Sequence, residues 1–360
     1  MHEHYIGIMS GTSMDGVDIA LCAIDENSCE LLCFEEYPFP STLKQELLDA
    51  LNTPLTLQNF GTLHVKLGAL FADKLTQFLH AYKIDPQSVI AVGLHGQTLW
   101  HEPDGEFPFS MQLGDANRVV AASGITTVTD FRNADMAYGG EGAPFAPVFH
   151  NFLFHSKEKR VAVLNIGGMA NISILGENLR GWDTGCGNVL LDMWMQKTQN
   201  RSYDENGAFA RSGSINEELL EKMLSDAYFA KEPPKSTGRE HFNESWLESK
   251  LPLFHTTSDA DMQRTLLELT ALSIANDVNR EVIDELVLCG GGAKNEFLVE
   301  RLRKLCKCSV VTSEARGVNV DALEAMAFTW FAYKRLRKEK VELKSVTGAK
   351  DNSLLGAIYG

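Results

Sequence analysis

Two stretches of this chain share one layout: β-branched runs of period two on either side of a glycine-rich polar turn. That recurrence limits the fold more than any other feature. In the first, Ile6-Gly7-Ile8-Met9 and Val17-Asp18-Ile19-Ala20-Leu21 flank Ser10-Gly11-Thr12-Ser13-Met14-Asp15-Gly16. In the second, Val161-Ala162-Val163-Leu164 and Ile172-Ser173-Ile174-Leu175 flank Asn165-Ile166-Gly167-Gly168-Met169-Ala170-Asn171. Each reads as a β-hairpin. Their repetition predicts two related lobes, residues 1–155 and 156–360, and 360 residues are more than one hydrophobic core usually fills.

The intervening sequence alternates helical and strand patterns. Leu63, Leu67, Leu70, Phe71, Phe78, Leu79 and Tyr82 predict a helix over 63–82, and the apolar run 89–94 predicts a buried strand. A helix is expected to begin at Asn188, with Leu190, Met193 and Trp194 on its buried face. The polar, proline-containing stretch 231–243 is either a linker or a functional loop. Beyond it the pattern predicts a long helix over 262–282, a buried strand over 286–289, a tight turn at Gly290, Gly291 and Gly292, and a helix over 295–305 capped by Asn295. The fold class is therefore α/β.

Composition excludes several function classes. Lys plus Arg number 33 against 48 Asp plus Glu, and the net charge of -15 repels a nucleic-acid backbone. No run approaches the ~18 apolar residues of a membrane span, and the first residues lack the basic flank and apolar core of a leader, so a cytoplasmic location without membrane partner is expected. The 7 cysteines are scattered through apolar segments without the paired spacing of a zinc site, and serve as core filler.

The first glycine turn offers backbone N–H groups and the hydroxyls of Ser10, Thr12 and Ser13, while Asp15 or Asp18 suits a cation held through water; this equipment grips a phosphate bound to Mg2+. A hairpin turn is also Gly/Ser-rich for conformational reasons alone. A serine-protease reading of Gly11-Thr12-Ser13-Met14 fails on the order of the triad partners. The Walker, dinucleotide-binding and protein-kinase signatures are absent. Bare glycines at Gly290, Gly291 and Gly292 either pack closely or let a nucleotide approach the backbone. Asp183 stands in a glycine-rich loop just ahead of a helix, a place for a base or for an ordinary Asp turn. His95, Gln97, Asp115 and Arg132 concentrate polar groups at strand ends and loops, which suggests a hydroxylated, sugar-like ligand.

With these residues in place, the chain resembles the anhydro-N-acetylmuramic acid kinases of the sugar-kinase and actin-like ATPase superfamily. Matching strings run through nearly its whole length: 6–21, 95–98, 112–116, 130–135, 139–144, 165–173, 182–188, 233–243, 289–295 and Glu324-Ala325. The family pattern has proline where Cys186 stands and often glutamine where Glu141 stands.

The resemblance implies a two-lobed actin-like (ribonuclease H-like) fold with a nucleotide cleft, ATP and Mg2+ as cofactors, and a homodimer. It implies a phosphate loop of Gly11, Thr12, Ser13, Met14, Asp15, Gly16, Val17 and Asp18, backed by Gly167 and Gly168, with Gly290, Gly291 and Gly292 near the adenosine. Asp183 becomes the catalytic base. Arg132 and Glu324 become sugar contacts, joined by His95, Gln97 and Asp115. In a 1,6-anhydro sugar O6 carries no hydrogen, so the implied reaction has Asp183 take a proton from water as it attacks C1, freeing O6 to accept the γ-phosphoryl group. The product is N-acetylmuramic acid 6-phosphate, an intermediate of peptidoglycan recycling. Two rivals stand beside this reading: a kinase of the same fold for another sugar, and an actin-like scaffold whose ATP turnover controls assembly.

Overall fold

The computed structural model describes residues 2–11, 14, 16–250 and 257–360, so Thr12, Ser13 and Asp15 lie outside the described residues. The chain divides into two compact units, Met1–Leu153 with Ala322–Gly360, and Phe154–Asp321.

In the first unit β1 (Glu3–Ser10), β2 (Gly16–Ile24) and β3 (Cys29–Pro38) form an antiparallel meander. A parallel neighbour requires a crossover. Helix Leu57–Ala81 supplies it, and β4 (Val89–Glu102) then pairs parallel to β1. The helix begins earlier than periodicity predicts because Thr56 caps it, accepting from the Asn59 N–H, and it sinks Leu63, Leu67, Phe71 and Phe78 into the core. β5 (Phe109–Leu113) turns back on β4, and β6 (Thr127–Thr129) pairs parallel to β4.

The second unit repeats the wiring. β7 (Val161–Ile166), β8 (Met169–Ile174) and β9 (Arg180–Cys186) form a meander, β10 (Glu285–Cys289) pairs parallel to β7, and β11 (Ser309–Thr312) pairs parallel to β10. Across the sheets the orders are β3-β2-β1-β4-β6 and β9-β8-β7-β10-β11, position for position the same arrangement of strand senses. The repeat visible in two hairpins thus extends to two ribonuclease H-like sheets. Helix Asp259–Val278 spans the second crossover, starting and ending ahead of the predicted 262–282.

Residues 322–360 depart from a chain cut once near residue 155, because they pack in the first unit. Helix Leu323–Leu336 lies against β1 and β4 at Gly7 and Gly93, which are register partners in those parallel strands. A Cβ on Gly7 would collide with the Ala325 carbonyl and one on Gly93 with the Phe328 carbonyl. The missing side chains are what admit the helix backbone. Its aromatic face completes the contact, with ring centroids 5.4 Å apart for Phe131 and Phe328 and 5.6 Å for Tyr5 and Tyr333. Last, β12 (Ala357–Tyr359) pairs antiparallel to β6 at the sheet edge. Gly93→Ala is therefore expected to lower unfolding free energy by about 1–3 kcal/mol or more through overpacking, read by denaturant melts; an unchanged midpoint would contradict the close approach.

Candidate active site

Asp183 lies on β9 beside an irregularity that sequence periodicity does not show. Ala170 pairs with Gly185 but Asn171 with Asp183, so Thr184 is an extra residue in the strand. A bulge of this kind re-aims the neighbouring side chain. The segment 231–243 then folds over the acid. The Asp183 N–H donates to the Lys235 carbonyl at 3.0 Å, and the Tyr228 hydroxyl donates to the Asp183 carbonyl at 2.7 Å. On the carboxylate, Ser236 Oγ (3.1 Å) and the Thr237 N–H (3.0 Å) both donate to Oδ2. Among the described residues Oδ1 receives no donor, which leaves a lone pair for a proton. Burial pushes the Asp183 pKa up, the Thr237 and Ser236 donors oppose that, and the nearby Glu240 charge adds to the rise. The opposing effects resolve into a carboxylate more basic than usual.

The segment 231–243 is a loop anchored in the core at two points rather than a linker. Lys235 Nζ sits 2.8 Å from Asp277 Oδ2 with both side chains nearly fully buried, and Trp182 Nε1 donates to the same oxygen at 3.0 Å. At the other end Phe242 is fully buried among Tyr228, Phe229 and Trp246. Neither anchor was singled out from the sequence.

The glycine turns of this unit gather at the C-terminal ends of β7 and β10, the edge where open α/β sheets bind ligands. Gly187 passes so close to the Gly167 carbonyl that a Cβ has no room. Gly290 has a positive φ of 75°, and Gly292 packs on Ile166. Asn188 occupies the start of helix Val189–Gln199 without capping it; its amide donates instead to the Ile166 carbonyl at 3.2 Å, tying the helix start to the second hairpin. Asn295 does cap helix Glu296–Leu305, accepting from the Leu298 N–H at 3.0 Å. Cys186 is fully buried, its thiol pushed up to about 12 by burial, so the departure from proline falls on a packing position.

In the first unit, the described part of the predicted phosphate loop closes with the Met14 N–H donating to the Gly11 carbonyl at 3.1 Å. Met14 and Val17 point into the core, so only their backbone is available to a ligand. Gln97 differs from its expected place as a sugar contact. It is fully buried, accepts from Ser10 Oγ at 2.6 Å and donates to the Gly11 carbonyl at 3.2 Å, so it braces the loop from β4. Asp18 pairs with Met9 across the hairpin.

Arg132 and His95 do come together. Arg132 Nε donates to His95 Nε2 at 3.1 Å and Nη1 to the Gly142 carbonyl at 2.9 Å. Burial lowers the His95 pKa to about 3, with the Arg132 charge reinforcing it, so the ring is neutral and carries its proton on Nδ1. Burial also lowers the Arg132 pKa to about 10, which leaves the guanidinium charged at neutral pH. Glu324 reaches solvent, its pKa raised by desolvation and drawn back by Arg132. The two feel each other without direct pairing, so among the described residues the Glu324 carboxylate and Arg132 Nη2 keep no hydrogen-bond partner. Asp115 is not part of this group. It caps helix Ala116–Ser123 through the Asn117 N–H and lines a cavity of about 440 Å³ with Gln112, Asp130 and Asn133.

Two sheets of ribonuclease H-like order, with glycine turns gathered at one edge of the second, are the fold shared by actin-like ATPases and sugar kinases. A family model described as anhydro-N-acetylmuramic acid kinase matches residues 3–360. An anhydro-N-acetylmuramic acid kinase of Sulfurovum sp. (strain NBC37-1) is 56% identical over 360 residues, covering 99% of both chains. One of Sulfurimonas denitrificans is 49% identical over 367 residues, covering 100% of both. Among solved structures, the activator of the 2-hydroxyisocaproyl-CoA dehydratase from Clostridium difficile with bound ADPNP is 12% identical at a TM-score of 0.48, covering 94% of this chain and 96% of that one. This chain belongs to the anhydro-N-acetylmuramic acid kinase family. It is an enzyme, a kinase. No described helix is long and apolar enough to cross a membrane.

Proposed function

We propose that the chain opens 1,6-anhydro-N-acetylmuramic acid with water and phosphorylates the freed O6, using ATP. The observation that carries this reading is Asp183: Oδ2 is held by two donors, Oδ1 is open, and burial makes the group a stronger base than a surface aspartate. Water attacks C1, its proton passes to Asp183, and the C1–O6 bond breaks. O6 then attacks the γ-phosphorus, ADP departs, and Asp183 returns its proton to solvent. Family membership supports the sugar; the Arg132 N–H donors not taken by His95 and Gly142 suit its lactyl carboxylate and Glu324 its hydroxyl groups.

The two glycine hairpins are assigned to the phosphates, and Gly290, Gly291 and Gly292 to the adenosine. Asp15 or Asp18 is a hard oxygen donor of the kind Mg2+ accepts through water. When bound, Mg2+ neutralises charge on the triphosphate. The reaction belongs to recycling of peptidoglycan sugars in the cytoplasm, where ATP is found, and the 7 cysteines are all free. Homodimer formation follows the family resemblance and is checked by sedimentation.

Incubation with ATP, Mg2+ and a panel of anhydro and free amino sugars, read by mass spectrometry, tests the assignment. Only the anhydro sugar is expected to gain both water and phosphate. Reaction of free sugars alone would make the substrate wrong.

The raised Asp183 pKa sets a pH signature. The rate kcat/KM is expected to fall on the acid side through an apparent pKa above the about 3.9 of an ordinary aspartate. Ser236→Ala removes a donor that holds the value down, so the limb moves further up. A limb at the ordinary position, indifferent to Ser236, would remove Asp183 from the base role.

A further inference from the structure

We infer that Arg239 is the phosphoryl-binding cation of the second unit, gripping the γ-phosphate of ATP beside the hairpin turn at Gly167 and Gly168. The inference rests on the kinase reading and adds a residue that neither the motifs nor the family assignment put to use.

Arg239 occupies the exposed middle of the loop that holds Asp183, between the buried Lys235 and Phe242. Its backbone is fixed, since Asn243 Nδ2 donates to the Arg239 carbonyl at 3.1 Å and to that of Glu240 at 3.1 Å, while Asn243 Oδ1 caps the next helix through the Trp246 N–H at 2.9 Å. A long cation on a rigid stem has a restricted sweep. Its guanidinium lies over the second hairpin: a Cβ placed on Gly168 would be 3.9 Å from Nη2 and 4.0 Å from Nε. Because Gly168 has no side chain, the space between the turn and the guanidinium stays clear.

The surrounding charges ask for this cation. Asp183 and Glu240 are both acidic and act on one another, and the chain as a whole carries -15. A triphosphate brought to this turn adds further negative charge. Lys235 offers no relief, since its ammonium is locked onto Asp277. The neighbouring Glu240 does not neutralise Arg239 either, because its carboxylate folds back over Gly238, where a Cβ would strike Oε2. Among the described residues the Arg239 guanidinium forms no ion pair or hydrogen bond. One more polar group of the loop is unsatisfied: among the described residues Thr237 Oγ1 is buried without a partner. An unpaired planar guanidinium, an unsatisfied hydroxyl and a bare glycine turn match the tetrahedral oxygens of a phosphoryl group.

The test is calorimetric titration of the wild type, Arg239→Gln and Arg239→Lys with ADP and with the β,γ-methylene analogue of ATP, each with Mg2+. Arg239→Gln is expected to lose about tenfold or more in affinity for the triphosphate analogue while ADP stays within about twofold, and to lose about 10²-fold in kcat. Arg239→Lys keeps the charge without the fork and recovers part of both. Equal losses for the two nucleotides, no loss for either, or a defect confined to the KM of the sugar would overturn the inference. Wild-type enzyme that failed to phosphorylate the anhydro sugar would refute the substrate alone, because the split between the two nucleotides needs no sugar.

Discussion

Replacing Asp183 by asparagine is expected to lower turnover by about 10²-fold or more, the contribution of a positioned general base, while sugar and ATP still bind. The amide keeps an oxygen to accept from Ser236 and Thr237, so the loop stays in place; what it loses is the lone pair able to hold a proton. Stability should not fall with activity. The folded-state pKa of Asp183 is raised, so its contribution favours the fold below the carboxylate range of the unfolded chain and is lost as pH rises through the folded value. At neutral pH the ionised acid is a liability, and Asp183→Asn should melt no lower than wild type. Thermal melts and initial rates on the same preparation separate the two effects. A variant that loses activity by unfolding would contradict the account.

The second large effect belongs to Lys235. Its side chain is 2% exposed and that of Asp277 is 3% exposed, and the pair joins loop 231–243 to helix Asp259–Val278. Lys235→Met leaves Asp277 buried with the Trp182 N–H and a half-exposed Arg280 at 3.6 Å. Breaking one side of a buried pair costs about 3–5 kcal/mol, and the donors on Asp183 lose their anchor at the same stroke. The double variant Lys235→Met, Asp277→Leu removes the stranded charge and should recover much of the loss, as read by denaturant unfolding. A single variant as stable as wild type would show that the pair is not what pins the loop.

The parts of this molecule written locally were readable. Period-two runs around glycine turns specify the two hairpins, and Asn295 announces its helix, because each signal lies within a few residues. Asp183 was legible as an acid in a glycine loop, but its activation was not. The bulge at Thr184 depends on register with the neighbouring strand, and the Lys235 anchor on a partner 42 residues away. Gln97 reads as a ligand group because a polar side chain just past the apolar run 89–94 carries no mark of burial; β4 continues through it, and only packing shows that it serves Ser10 and Gly11. The return of residues 322–360 to the first unit has one local trace, glycines at positions 7 and 93, which become meaningful only when β1 and β4 are paired.

Turnover of the anhydro sugar with ATP in 18O-labelled water reaches the central claim most directly. If Asp183 drives water onto C1 while the bridge oxygen accepts the phosphoryl group, the product carries one heavy oxygen, at C1, and none in its phosphate ester. Heavy oxygen in the phosphate, or a phosphorylated sugar with no label at C1, would contradict it.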